Sequence, residues 1–301
     1  MTRTLEQAEF RSPARLEIPI DRWQTLSAAD KEAHFTAADR ELEEIGLIVI
    51  AGALSSEACD QLAHRMMEEV RTAHHIERKM HERRKSVLKI YNLQSRHPAF
   101  MELITFPFVV EYMRRFLGQD MLLYSSEGGI RTPVPAGIED NALPIDGLHY
   151  DAVDRIPGHF LAMNSIYYLC DADKSKGATR YVPGSHKEFL SQEEAEKRET
   201  RFIDVKKGDL VIFGPYLWHA GSPNHSTENR PVIINYYVRS YVRQGFDYPR
   251  QMSVAEAKRL TAEQRALLGF NRRLMLDVDE LFKYGPASVP DMDPLFPLAD
   301  S

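Results

Sequence analysis

Two short stretches hold the residue types that can do chemistry in this chain, Gly147-Leu148-His149-Tyr150-Asp151 and Tyr216-Leu217-Trp218-His219-Ala220-Gly221. Side chains alternate with period 2 along extended backbone, so His149 and Asp151 project from the same side. One distant histidine, His219, completes a set of two imidazoles and a carboxylate. That facial triad holds Fe(II) while leaving positions open for a cosubstrate and oxygen. A His-x-Asp tripeptide alone is weak, because its bland counterpart is a surface turn.

The surroundings of His219 and a later arginine strengthen the case. Lys207-Gly208-Asp209-Leu210-Val211-Ile212-Phe213-Gly214 reads as a turn leading into a buried strand that ends just before Trp218-His219. A histidine a few residues beyond a core strand, with aromatics around it, is poorly explained as a solvated side chain. Arg230 stands eleven residues after His219, at the start of Val232-Ile233-Ile234-Asn235-Tyr236-Tyr237. An arginine entering an apolar strand needs an anionic partner, since burying an unpaired guanidinium is costly. Its planar fork suits a carboxylate held bidentately.

Other polar residues near these segments have two readings each. If Asn164, Ile166 and Tyr168 form the inward set of the strand Ala162–Tyr168, then Asn164 or Tyr168 is placed to bond a cosubstrate; otherwise they are satisfied groups of a packed strand. Glu127 and Arg131 face the site from the preceding strand, and Arg131 is a candidate contact for an acidic substrate. His159 and His225 are spare imidazoles, with His225 in a polar loop that reads as solvent-facing. His186 follows Val182-Pro183-Gly184-Ser185 and reads as structural, and Trp218 reads as core. His74, His75 and His81 lie in a basic run, residues 71–85, that reads as solvated helix and loop rather than as a nucleic-acid patch, an anionic-substrate gate or a metal site.

The elements that must position these residues follow from local pattern. Residues 1–27 read as irregular. A helix runs from Ser27 to Ile45 and is stopped by Gly46. Leu47-Ile48-Val49-Ile50 is a short buried strand, and Ser55 caps a second helix through Leu62, Met66, Met67 and Val70. One helix is expected over Pro98 to Leu117, then a strand region from Met121 to Arg131. A Pro/Gly/Asp-rich loop, residues 132–148, is a natural lid or substrate contact. Strands are expected at Phe160–Cys170, Ala178–Val182, Asp209–Phe213 and Val232–Val238. No helix separates each pair, which argues against a parallel βαβ sheet and for an antiparallel barrel or two-sheet sandwich. Residues 253–268 return to helix in two pieces, and the proline-rich end reads as a tail.

Composition bounds the rest. A chain of 301 residues with 43% hydrophobic and 27% charged content is an ordinary globular one, long enough to bury a large core. Its net charge of −6 argues against nucleic acid as a partner. Two distant cysteines give no disulfide framework, and neither a leader segment nor a membrane span is read in the sequence. A cytoplasmic monomer or homodimer is expected.

Taken together, His149-x-Asp151, the Val182-Pro183-Gly184-Ser185-His186 turn, Gly208-Asp209 before an apolar strand, and His219 with Arg230 resemble the phytanoyl-CoA dioxygenase family of Fe(II)/2-oxoglutarate-dependent oxygenases. Gly46–Ile50 through Leu54–Glu57 resembles that family's opening strand and helix, so the likeness spans roughly residues 40–240. The resemblance implies one oxygenase domain over 1–301, mainly β with flanking helices and a double-stranded β-helix (jelly-roll, cupin-like) core, plus a helical extension over about 250–301. It implies that His149, Asp151 and His219 bind iron and that Arg230 pairs with the distal carboxylate of 2-oxoglutarate. The activity implied is oxidation by O2, chiefly hydroxylation, of an unactivated C–H in a small molecule of biosynthesis or catabolism, releasing succinate and CO2. Desaturation, epoxidation or cyclisation at the same site, a cupin-type metalloenzyme without 2-oxoglutarate, and a jelly-roll binding module stay open as alternatives. Some relatives replace the metal-binding Asp with Gly or Ala and bind halide there; Asp151 disfavours halogenation.

Overall fold

The computed structural model describes residues 11–72, 86–135, 147–151, 155–156 and 158–270. The basic run beyond residue 72, most of the loop 132–148 and the C-terminal tail therefore lie outside the described residues. In chain order the strands are β1 (Arg15–Leu16), β2 (Leu47–Ile50), β3 (Val87–Tyr91), β4 (Leu122–Arg131), β5 (Ala162–Tyr168), β6 (Arg180–Tyr181), β7 (Arg201–Phe202), β8 (Leu210–Phe213), β9 (His219–Ala220) and β10 (Arg230–Val238). The α-helices are α1 (Ala28–Glu44), α2 (Ser56–Arg71), α3 (Pro98–Ile104), α4 (Pro107–Leu117), α5 (Gln192–Glu196), α6 (Tyr248–Gln251), α7 (Val254–Arg259) and α8 (Ala262–Leu267).

Two sheets form the core. The larger has seven strands in the order β1-β2-β8-β5-β10-β4-β3, and the smaller has three in the order β7-β6-β9. All pairings are antiparallel except β1 with β2, as the absence of βαβ spacing predicts. This is the jelly-roll core with flanking helices expected from the sequence.

Period-2 alternation splits the large sheet cleanly. On β5 and β10, Met163, Tyr167, Ile233 and Tyr237 pack under the helices with Phe100, Ile104, Phe108 and Met113. Ile166, Tyr168 and Val232 point the other way, into the space between the sheets, where they meet Leu47, Val49, Val211, Phe213, Tyr181 and Leu217. The inward set of β5 is thus Asn164, Ile166 and Tyr168.

Three sequence expectations need correction. Residues 15–25 are not irregular: Arg15–Leu16 adds an edge strand to β2, and a 3-10 turn, Ile20–Thr25, delivers Trp23 into an aromatic cluster with Phe35 and Phe108 at ring distances of 5.3 and 5.0 Å. Elements this short carry no periodicity to read. The helix expected over Pro98–Leu117 is two, α3 and α4, because Phe106 precedes Pro107 and takes ψ 117°, outside the α region. The strand expected at Ala178–Val182 pairs only over Arg180–Tyr181.

The turn before β8 explains its glycine and aspartate. Gly208 has φ +89°, and a Cβ there would overlap the Leu54 carbonyl oxygen. Asp209 is fully buried and accepts four hydrogen bonds, from Arg15 Nε and Nη2 at 2.9 and 2.8 Å and from the amides of Gly52 and Lys206 at 3.0 and 2.8 Å.

Candidate functional site

His149 and His219 are brought together by backbone pairing. His149 N donates to His219 O at 3.0 Å and His219 N to His149 O at 2.8 Å, a reciprocal antiparallel pair whose side chains share one face. The imidazole centroids lie 4.7 Å apart. Asp151, two residues on, returns to the same face, with Oδ1 3.8 Å from His149 Nε2 and Oδ2 3.5 Å from His219 Nε2. Among the described residues these three form the one cluster of His, Cys, Asp or Glu donors close enough to hold a metal ion.

The tautomers are set by local bonds. His149 Nδ1 meets Gly147 O at 3.0 Å and His219 Nδ1 meets Leu217 O at 2.9 Å. A ring nitrogen facing a carbonyl must carry the proton, so each Nε2 presents its lone pair toward Asp151. Burial lowers the His219 pKa from its ordinary value, with His149 adding to the effect and the Asp151 carboxylate and the Leu217 carbonyl opposing it. Phe213 stacks on the His219 ring at 4.9 Å and 20°. Asn164 Nδ2 donates to Asp151 Oδ2, and Tyr236 Oη donates to the Asp151 carbonyl.

Beside the triad lies a cavity of about 120 Å3 lined by residues that include His149, His219, Arg230, Arg131, Lys89 and Thr179. Arg230 is 5% exposed and forms no ion pair with any described residue, and its Nε has no hydrogen-bond partner there. Its guanidinium carbon sits 5.7 Å from the ring centre of Tyr168. Burial lowers its pKa from the ordinary value. A buried guanidinium in this state fits an anionic ligand, and two imidazoles with a carboxylate fit a divalent metal.

The remaining expected residues separate. Asn164 spends its amide on Asp151, and the Tyr168 hydroxyl meets Thr179 Oγ1 at 2.8 Å, leaving its ring to support Arg230. Arg131 reaches the cavity; Glu127 is held by Lys89 Nζ at 2.8 Å. His159 bonds the Tyr241 hydroxyl at 2.6 Å and His186 bonds Glu43 O at 2.9 Å, so neither joins the triad. Trp218 is buried against Tyr150, as a core residue should be. Sequence reasoning missed Lys89, Tyr236 and Gly221. Counting by twos back from Lys89's neighbours gives no signal, whereas counting by twos from Arg230 reaches Tyr236, and from His219 reaches Gly221.

A jelly roll holding two histidines, a carboxylate and an anion-seeking arginine defines a class of oxygenase, and the comparisons agree. The chain belongs to the phytanoyl-CoA dioxygenase (PhyH) family, whose model matches residues 42–232. It is 26% identical over 187 residues to the uncharacterized protein Rv1501 of Mycobacterium tuberculosis, covering 62% of this chain and 68% of that one. It is 23% identical over 279 residues to the dioxygenase af480 of Aspergillus fumigatus, covering 89% and 85%. Among solved structures it is similar to HygX from Streptomyces hygroscopicus with nickel and 2-oxoglutarate bound, with a TM-score of 0.56, 16% identity, and 69% and 88% of the two chains covered. The chain is a 2-oxoglutarate-dependent dioxygenase, with Fe(II), 2-oxoglutarate and O2 as its cofactors.

Proposed function

We propose that His149, Asp151 and His219 hold Fe(II), that Arg230 holds the distal carboxylate of 2-oxoglutarate, and that the enzyme hydroxylates an unactivated C–H of a small molecule. The observation that carries this reading is the buried guanidinium of Arg230, without an ion pair among the described residues, in the same small cavity as both Nε2-presenting histidines. When bound, the metal and cosubstrate supply oxygen activation coupled to decarboxylation to succinate. The chain supplies the rest. Gly147 and Leu217 carbonyls fix the imidazoles, Asn164 orients the carboxylate, and Ile166, Val232 and Ile234 wall the cavity with apolar surface that excludes water.

The cavity has room for a cosubstrate, and a substrate must approach from its mouth. Among the described residues, three of the four exposed large hydrophobic side chains, Ile156, Phe189 and Tyr241, belong to one connected cluster. Arg155 lies between the Phe189 and Tyr216 rings, Tyr216 Oη bonds Ile156 and His159 backbone, and His159 bonds Tyr241. That cluster begins four residues after Asp151 in the chain, and its apolar side chains support an apolar, small-molecule substrate.

The test is anaerobic addition of Fe(II) and 2-oxoglutarate, followed by succinate formation in air across a substrate panel. A visible charge-transfer band and succinate release that vanish in Asp151→Ala are the expected results. A colourless sample at saturating 2-oxoglutarate would sink the reading.

A further inference from the structure

The three donors of the triad hang from different sheets. His219 belongs to β9, the edge of the three-stranded sheet, and His149 joins that edge through its bridge to His219. Asp151 is bonded instead to the seven-stranded sheet. Asn164 of β5 and Tyr236 of β10 stand directly opposite each other in register, and both donate to Asp151. Asn164 Nδ2 reaches the carboxylate, and Tyr236 Oη reaches the backbone carbonyl. One cross-strand pair therefore grips the side chain and the main chain of a single residue.

The aim of Tyr236 is itself built. Between Tyr236 and Tyr237 the register with β4 jumps from Ser125 to Leu123, so Tyr124 is the extra residue of a β-bulge. Bulges bend a strand and re-aim its side chains, and they concentrate beside active sites. The Tyr124 carbonyl accepts from Tyr248 Oη at 3.0 Å and from the Gly245 amide at 3.2 Å. Its ring meets the Tyr236 ring edge-on, with centroids 5.3 Å apart. A Cβ at Gly245 would lie 2.9 Å from Tyr124 Cε1, so the bulge is packed from behind as well.

We propose that Tyr236 is a positioning residue for the metal-binding carboxylate, acting through the main chain of Asp151. The inference rests on the reading of Asp151 as a metal ligand given above. A carbonyl only accepts, so the phenol must donate, and that bond fixes where the Asp151 backbone stands relative to the large sheet. Asn164 turns the carboxylate but leaves its Cα unplaced. Side-chain torsions occupy a few staggered wells, so the oxygens are placed once both ends are held. Metal ligands must be held to within roughly 0.5 Å, which one of the two bonds alone does not secure.

The experiment is a titration of the apo protein with Co(II), whose visible bands report its ligands. Wild type is compared with Tyr236→Phe, Asp151→Ala and their double variant, and thermal denaturation checks that each is folded. Groups that orient metal ligands predict a Co(II) Kd roughly tenfold higher in Tyr236→Phe, with a changed band shape. In the Asp151→Ala background the same substitution should change neither, because the carboxylate through which Tyr236 acts is gone. Where Tyr236→Phe does not fold, Tyr236→His, with a shorter ring that keeps a polar group, is run through the same cycle. An unchanged Kd in the Tyr236 variant, with Asp151→Ala binding weakly, overturns the proposal and leaves the proposed function standing. An equal loss with and without Asp151 also overturns it, since it marks a general structural role. Asp151→Ala binding Co(II) as tightly as wild type overturns it together with the ligand set it rests on.

Discussion

Asn164 donates its side-chain amide to Oδ2 of Asp151, the same oxygen that faces His219 Nε2 at 3.5 Å. The bond fixes which way the carboxylate turns and leaves Oδ1 toward His149. Asn164→Ala should therefore weaken metal binding rather than cosubstrate binding. Groups that orient metal ligands are typically worth 10- to 100-fold in affinity. Fe(II) or Co(II) titration is the measurement, and an unchanged metal affinity with a raised 2-oxoglutarate Kd would return Asn164 to the cosubstrate.

Arg230 predicts opposite signs for stability and function. Its guanidinium is buried without an ion pair among the described residues, so the ligand-free protein carries a desolvation cost that a thioether would not. Arg230→Met should leave the apo protein more stable by about 1 kcal/mol or more, while removing the 2-oxoglutarate response. In wild type, 2-oxoglutarate at 100 times its Kd should add about 2.7 kcal/mol. Urea unfolding with and without ligand reads both; a variant that is less stable without ligand contradicts the account.

Asp209 ties the N-terminal strand to the barrel through Arg15 and through the amides of Gly52 and Lys206. Asp209→Asn removes acceptor capacity from a fully buried position and leaves Arg15 half-paired. The expected cost is about 2–4 kcal/mol in urea unfolding. A loss under about 0.5 kcal/mol would mean that this network does not hold β1 in place.

His186 predicts a pH dependence. Burial outweighs the bond to Glu43 O and, with the charges of Lys187 and Arg155, lowers its pKa to about 4. Nε2 bonds that carbonyl and Nδ1 has no partner, so a second proton would find no acceptor. With the unfolded value near 6.5, the unfolded chain binds the extra proton first as pH falls. The native state is thus favoured above about 6.5, and stability is lost as pH drops from there to about 4. A shift of this size is worth at most about 3 kcal/mol. His186→Gln should flatten the slope of apo stability across that window; an equal slope in both proteins refutes the assignment.

Much of the site was legible because the chemistry is written in residue types at period-2 spacing. His149, Asp151, His219 and Arg230 needed no knowledge of long-range packing to be singled out, and alternation grouped Asn164, Ile166 and Tyr168 on one face, which the fold turns inward. What each inward group bonds was not legible. Asn164 could reach a cosubstrate or a ligand carboxylate, and only the fold sets Asp151 within its reach. Lys89 and Glu127 meet across β3 and β4, a cross-strand register that neither segment announces. β1 was missed for the same reason: two residues cannot show a period, and its anchor, Asp209, is 194 positions away from Arg15.

The reciprocal bridge between His149 and His219 has one more consequence. A slip of one residue in that pairing would turn one imidazole to the opposite face and split the donor set. A metal held as proposed above would select a strand alignment as well as bind to it. An ion held by all three donors rejects every misregistered arrangement of this strand pair, so in this protein the cofactor would act as a proofreader of the fold that receives it.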